Sequence, residues 1–269
     1  MWWNNPRDSA TGASACSNGL SASGAREPVV LTWWEVQSGR DPTLSSWLAT
    51  YEESFPFEVR APSEVIAEQI RRRDLGQAED DVHHLAAALD GQTVVGGAMF
   101  SFLDRSRVGF ISYVFVDSRM RGHGIGEWIF RRLLAVLEAD SAALHLEPMA
   151  GVVFEVERED LAKTPGEGME RIRRLRFFAR LGAGILTGLD YLQPPLHAGE
   201  APLPMYLMYQ PMALSSQGLS AGDVLAWVAH IYDAIYVKGA GLSESVVRDC
   251  LDRVERSMEG GHVALRRPE

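Results

Sequence analysis

Apolar positions along this chain follow two different periods. Around 29–36, 83–90, 93–102 and 108–116 they form short runs rich in branched and aromatic residues, the signature of strands. The pair Asp90-Gly91 between the second and third runs marks a hairpin turn. Around 44–51, 63–73, 129–137 and 170–182 apolar residues instead recur every three or four positions, as on one face of a helix. Val65, Ile66 and Ile70 make that face in 63–73, with Ser63 as N-cap; Ile129, Leu133, Val136 and Leu137, widened by Phe130 and Leu134, make it in the next. In 170–182 it is Ile172, Leu175, Phe177, Phe178 and Leu181, closed by Gly182.

The remainder is punctuated differently. Two segments compete for the strand after the central helix, 143–147 and 152–157; the second is preferred because it is richer in β-branched and aromatic residues and follows Gly151. A loop is expected at 160–168. The last two strands are expected at 185–193 and 205–209, on either side of a proline-rich connection. Beyond Ser220, Val224, Trp227, Val228, Ile231 and Ile235 form one helical stripe and 243–258 a second. Residues 1–27, poor in large apolar side chains after Trp3, read as a disordered leader. The chain therefore divides into that leader, a domain over 28–214 and a helical extension over 215–269.

Composition narrows the function. A net charge of −10 argues against a general nucleic-acid binder, whose footprint should be basic. Lys163 and Lys238 are the only lysines, so clusters of phosphate-forking arginines say more than the total charge. Cys16 and Cys250 stand far apart, with neither a disulfide framework nor metal-ligand spacing. His83 and His84, adjacent on a strand, point to opposite faces and lack companion ligands, so no metal is expected. No apolar run reaches membrane-spanning length and no secretory signal opens the chain. A cytoplasmic protein without membrane partners is expected.

Between the 108–116 run and the 129–137 helix lies Arg119-Met-Arg-Gly-His-Gly-Ile-Gly126. Glycines at alternate positions lack Cβ atoms, so successive N–H groups can turn toward an anion. The positive end of the helix dipole points to the same place, and Arg119 and Arg121 add full charges. Strand, cationic glycine turn and helix together describe a pyrophosphate cradle; a plain tight turn would need fewer glycines. A P-loop is excluded because Glu127 and Trp128 follow Gly126 in place of Lys and Ser/Thr. A dinucleotide fingerprint stays open, with Glu147 as its acidic residue, although the glycine spacing differs from G-x-G-x-x-G.

These residues, following Tyr113-Val-Phe-Val116, resemble the acyl-CoA loop R-x-x-G-x-G/A of the GNAT superfamily of N-acyltransferases. The resemblance extends over roughly 29–212 and includes the segment Tyr191-Leu-Gln-Pro. It implies an α/β fold with a mixed, largely antiparallel sheet flanked by helices. It also implies that Arg121, Gly122, His123, Gly124, Ile125 and Gly126 hold the pyrophosphate of acyl-CoA, and that Phe115 and Val116 form the edge beside pantetheine. Of the arginines in 171–180, Arg171 or Arg174 would reach its phosphates. Phe55, Glu58 and Arg60 would wall the acceptor site. Where the family usually has a tyrosine four residues before the closing glycine, this chain has Phe178, which cannot donate a proton.

The expected chemistry is direct attack by a primary amine, from a small molecule or a peptide, on the thioester, acetyl-CoA being the simplest donor. Neither cysteine sits beside a recognisable base, so no acyl-enzyme is expected. The amine must be neutral to attack, which requires a proton acceptor. Glu155 and Glu157, at i and i+2 on one face of the preferred strand, are the candidates; His145 and Glu147 replace them if the other segment is the strand. Taken singly, each also reads as a surface carboxylate at a strand edge. Tyr191 is the candidate acid, or else a packed core tyrosine. Two rival functions remain: a non-catalytic acyl-CoA sensor and a dinucleotide-dependent oxidoreductase. The C-terminal helices would pack on the domain, cover the acceptor site or join a homo-oligomer.

Overall fold

The apolar runs pair into one sheet. The computed structural model describes residues 14–15, 30–77, 81–145, 148–197, 199–212, 219–258 and 262–268. Its strands are β1 (Ser14–Ala15), β2 (Val30–Glu35), β3 (Val82–Asp90), β4 (Thr93–Leu103), β5 (Val108–Val116), β6 (Gly151–Glu157), β7 (Gly184–Thr187), β8 (Leu192–Gln193), β9 (Leu203–Pro211) and β10 (Ala264–Arg266). They lie in the order β1-β2-β3-β4-β5-β6-β9-β7-β10, with β8 on β9. Neighbours are antiparallel throughout, except that β5 and β6 run parallel. A parallel step needs a crossover, which α3 (Ile125–Leu144) supplies.

Strand alternation sorts the side chains into two layers. Phe100 and Phe102 of β4, with Val152, Phe154 and Val156 of β6, join Ile129, Leu133 and Leu137 of α3 and Leu175 and Phe178 of α4 (Pro165–Arg180) in one core. The opposite face is shared. Over β3 to β5 it receives α1 (Thr43–Ser54) and α2 (Ser63–Asp74), through Trp47, Tyr51, Ile66 and Ile70. Over β6, β8 and β9 it receives α5 (Ala221–Ile231), a π-helical continuation (Tyr232–Gly239) and α6 (Glu244–Ser257). Gly97 makes room for α1: a Cβ there would lie 2.4 Å from Trp47 Nε1, which donates to the Ala86 carbonyl at 2.8 Å.

Several boundaries differ from expectation. Gly151–Glu157 is the strand after the crossover, and residues 143 and 144 close α3; Glu147 lies outside the described residues, as do most of 1–27. The expected loop at 160–168 is in part helix, because Pro165 occupies its first turn and Thr164 accepts from Glu167 N at 3.2 Å. The expected strand 185–193 breaks at Gly188, whose φ of 86° turns the chain between β7 and β8. Ser63 is the first residue of α2, not its N-cap; its hydroxyl donates to Glu52.

One irregularity prepares a cleft. Met99 opposes Tyr113 and Phe100 opposes Ile111, so Ser112 is an extra, bulged residue in β5. Pairing between β5 and β6 covers only 109–111 with 152–154. Past the bulge β5 stays on β4 through Val116, while β6 stays on β9 through Glu157. The two strands therefore part, leaving a wedge between 113–116 and 155–157.

Candidate active site

The wedge runs toward the glycine loop. Asp117 N donates to Val95 O at 3.0 Å, so residues 117 and 95 form a hydrogen-bonded pair. By antiparallel alternation Tyr113 and Phe115 also turn their backbone groups toward β4, and Val114 and Val116 present theirs to the wedge. Phe115 packs its ring on Trp47, with centroids 5.0 Å apart.

At the far end of β5 the turn is held from within. Asp117, 5% exposed, accepts from Arg119 N at 2.9 Å and is ion-paired to the Arg119 guanidinium at 2.5 Å. That pairing holds the Asp117 carboxyl below its ordinary pKa range. His123 Nδ1 lies 3.0 Å from Met120 O. Gly122 and Gly124 have φ of 83° and 77°, a region that suits glycine, and a Cβ at either would meet nothing within 4 Å. The outer surface of the loop is thus open. Gly124 is the N-cap of α3, so the amides of Ile125, Gly126 and Glu127 have no acceptor within the helix. Arg121 is exposed beside them, whereas Arg119 is spent on Asp117.

Glu155 lies at the inner end of the wedge. Tyr236 O–H stands 2.7 Å from both carboxylate oxygens, Gln193 Nε2 donates at 2.9 Å, and Tyr191 O–H donates to Oε1. Burial raises the Glu155 pKa, while these three donors pull it back. Burial and the neighbouring glutamate keep Tyr191 and Tyr236 protonated, well above the ordinary phenol range. A pocket in front of Glu155 is bordered by Ser112 and Tyr113 of the bulge, Ile66 and Gln69 of α2, and Ile235 and Tyr236. Ser112 Oγ is buried and has no hydrogen-bond partner among the described residues. Tyr113 O–H accepts from Ala61 N at 2.9 Å, and burial pushes its pKa up to about 12.

The second glutamate has different company. Glu157 alternates with the α3-facing residues as Glu155 does, yet it is ion-paired to Arg171 at 3.0 Å and to Arg174. Arg171 also donates to Arg158 O at 2.8 Å. These three residues, expected to serve as base and phosphate ligands, are engaged with one another. Phe178 packs against Phe154 and Phe130, at centroid distances of 4.6 and 5.6 Å, in the core on the α3 side.

The remaining candidates resolve as follows. Phe55 packs on Tyr51 and Tyr113, Arg60 leans on Glu52 at 3.9 Å, and Glu58 is exposed. His145 lies 2.6 Å from Asp104. His84 is held between Asp140 and Glu35. Among the described residues no group of three His, Cys, Asp or Glu side chains could hold a metal. Tyr236, Gln193, Tyr113 and Ser112 were not singled out by sequence reasoning. Only the neighbourhood of Gln193 to Tyr191 offered a signal.

Residues 44–150 match the family model described as the acetyltransferase (GNAT) family. No curated protein matches the chain. A GNAT-family acetyltransferase structure from Bacteroides thetaiotaomicron aligns over 78% of this chain and 99% of its own, with 20% identity and a TM-score of 0.56, which establishes a GNAT-like fold. The ribosomal-protein-S18-alanine N-acetyltransferase of Escherichia coli aligns over 71% of this chain and 100% of its own, at 12% identity and a TM-score of 0.45. The PaiA N-acetyltransferase of Thermoplasma acidophilum, in complex with coenzyme A, aligns over 68% and 99%, at 10% identity and a TM-score of 0.45.

Proposed function

We propose that this chain is an acyl-CoA-dependent N-acyltransferase that carries an acyl group, acetyl in the simplest case, to a primary amine by direct attack. The observation that carries the reading is the parting of β5 from β6: helix-start amides without helical acceptors lie just beyond the end of β5, the backbone groups of Val114 and Val116 turn away from β4 along it, and the buried Glu155 carboxylate lies on the facing strand. The donor set fits the proposed thioester. Loop amides from Gly122 to Gly126, together with Arg121, match a pyrophosphate. The backbone of Val114 and Val116 matches the amide-rich pantetheine arm.

In this reading the amine nitrogen forms a bond to the thioester carbonyl carbon as the C–S bond breaks. A wedge amide from Val114 or Val116 stabilises the oxyanion. The ammonium proton passes to Glu155, through Tyr236 or Tyr191 where one of them stands between: the phenol gives its proton to the carboxylate as it takes one from the amine. Glu157 stays clamped and takes no part. Tyr113, neutral until a pKa of about 12, is the donor available to the departing thiolate. Much of the acceleration comes from positioning the two substrates.

Calorimetric titration with CoA, followed by thiol release from acetyl-CoA across a panel of amines, tests the reading. Tight CoA binding with amine-dependent thiol release is expected. CoA binding without release across the panel would favour the sensor alternative, and binding of NAD(P) but not CoA would restore the dinucleotide alternative.

A further inference from the structure

The pocket before Glu155 has a chemical bias that narrows the acceptor. Thirteen of the described residues border it, and Glu155 alone among them belongs to a type that carries charge at neutral pH. Ile66, Met99, Phe110, Leu196 and Ile235 supply apolar wall, while the polar remainder consists of hydroxyls and amides. Among the described residues no lysine, arginine or histidine lines it, so a substrate carboxylate or phosphate would be desolvated without a partner from them and beside a buried glutamate. Arg60, next in sequence to the lining Ala61, does not border the pocket and lies against Glu52.

The rim is bridged as well. His197, adjacent to Leu196, stacks on Phe57 with ring centroids 3.8 Å apart, and its Nε2 lies 2.8 Å from Phe57 O. This contact ties the segment after β8 to the α1–α2 connection beside the pocket. On this reading the contact stands in the way of a folded protein that presents a lysine.

Resting on the acyltransferase reading, we infer that the acceptor is a small primary amine with an apolar body and no acidic group. Glu155 and its phenol partners meet the amine end, and the Ile66, Met99 and Leu196 side of the pocket meets the body. Free amino acids, acidic metabolites and protein lysines are disfavoured.

Matched pairs differing only by a carboxylate test this: 2-phenylethylamine against phenylalanine, and n-butylamine against 4-aminobutyrate, with a lysine-containing peptide as a third class. Thiol release from acetyl-CoA should favour the uncarboxylated member of each pair by at least about a hundred-fold in kcat/KM, because the carboxylate finds no counter-charge. Leu196→Arg, which places a guanidinium on a loop at the rim, should shrink that ratio about tenfold or more while CoA affinity stays the same. The same pairs titrated onto the CoA-bound protein read selectivity without turnover. Preferred binding of the plain amines without thiol release would support the inference and count against the acyltransferase reading. Turnover that favours the carboxylated amines or the peptide would overturn the inference and leave that reading intact. Plain amines that neither bind nor react would also overturn it.

Discussion

The Tyr236 hydroxyl lies 2.7 Å from each carboxylate oxygen of Glu155, joining the C-terminal helical segment to the sheet strand β6. A carboxylate buried without donors would simply be protonated; this one accepts from Tyr191, Gln193 and Tyr236. Burial raises its pKa and the donors, by favouring the ionised form, restrain the rise. The C-terminal extension thus contributes a side chain to the candidate site as well as packing against it.

Removal of the carboxylate should therefore be costly. Glu155→Gln is expected to lower kcat/KM by about 10²- to 10⁴-fold, the usual range for losing a general base. Tyr236→Phe should cost less, about tenfold, and should move the rising limb of the pH–rate profile to higher pH. The sign follows from the donor: its hydrogen bond favours the ionised glutamate, so its loss raises the Glu155 pKa. The pKa of the free amine cannot change with the enzyme variant. A limb that stays put in Tyr236→Phe would separate Glu155 from the chemistry.

At the other end of the cleft, Gly124→Val should weaken CoA binding at least tenfold. Valine is strained at φ 77°, and its side chain would occupy the open space through which a CoA phosphate is proposed to approach. Arg121→Ala should cost about 1–3 kcal/mol of CoA affinity as a lost charge-assisted contact. Calorimetry reads both, with circular dichroism to confirm folding. Wild-type CoA affinity in a folded Gly124→Val protein would remove the cradle from the scheme.

Why the loop was legible in the sequence and the carboxylate's partners were not has a physical explanation. The β5 run and the glycines around residue 122 act locally, so composition alone locates strand, turn and helix start. Tyr236 meets Glu155 across 81 positions. The helical stripe read at 3.6 residues per turn placed Ile235 inward. From Tyr232 the chain winds as a π-helix, which shifts the phase and buries Tyr236 while Ile235 is half-buried. Likewise the arginines of α4 were visible as a charge cluster, but nothing local announces that Glu157 binds two of them.

That clamp gives a prediction of its own. Glu157→Gln leaves two guanidinium groups without their anion, and Arg171 is only 17% exposed. Because Arg174 is 37% exposed and can rehydrate, a loss of about 1–3 kcal/mol of stability is expected, less than for a wholly buried pair. Urea midpoints measure it. Turnover at a temperature where the variant is folded should stay within about threefold of wild type, against the large loss for Glu155→Gln. Equal losses in both variants would return Glu157 to the list of candidate bases.

Cys250, on the buried face of α6, is 1% exposed, and burial raises its thiol pKa, so it is held as an inert thiol. Cys16 lies outside the described residues. A protein carrying Cys16→Ser and Cys250→Ala should keep turnover within about twofold, with about 1 kcal/mol lost to the small cavity at position 250. Mass spectrometry of acid-quenched wild type should find no acyl group on either cysteine. An acyl adduct that disappears in the double variant would overturn direct transfer.

The last prediction concerns stability against pH and rests on the face of the sheet away from the pocket. His84 stacks on Phe100 at a centroid distance of 4.8 Å, with Nε2 2.8 Å from Asp140 and Nδ1 3.4 Å from Glu35. Burial alone would drive the imidazolium pKa down, but the hydrogen bonds and charges of Asp140 and Glu35 outweigh it and raise the value to about 9. In the unfolded chain a histidine titrates near 6.5. The folded protein therefore holds this proton more tightly. The resulting stabilisation is fully present below about pH 6.5 and is lost as pH rises through about 9, with a magnitude on the order of 3 kcal/mol. The difference in unfolding free energy between wild type and His84→Gln should be largest near pH 6 and shrink by that amount at pH 10. His83→Gln, whose native ring meets Ser101 at 2.7 Å, is the control on the neighbouring position. A wild-type minus His84→Gln difference that is flat between pH 6 and 10, or an imidazole resonance titrating near 6.5 in the folded protein, would sink the assignment. Asp140 sits near the C-terminal end of α3, and CoA is proposed to bind at the opposite end. CoA affinity in His84→Gln should therefore stay near wild type wherever the variant is folded, which separates a stabilising ion cluster from a functional one.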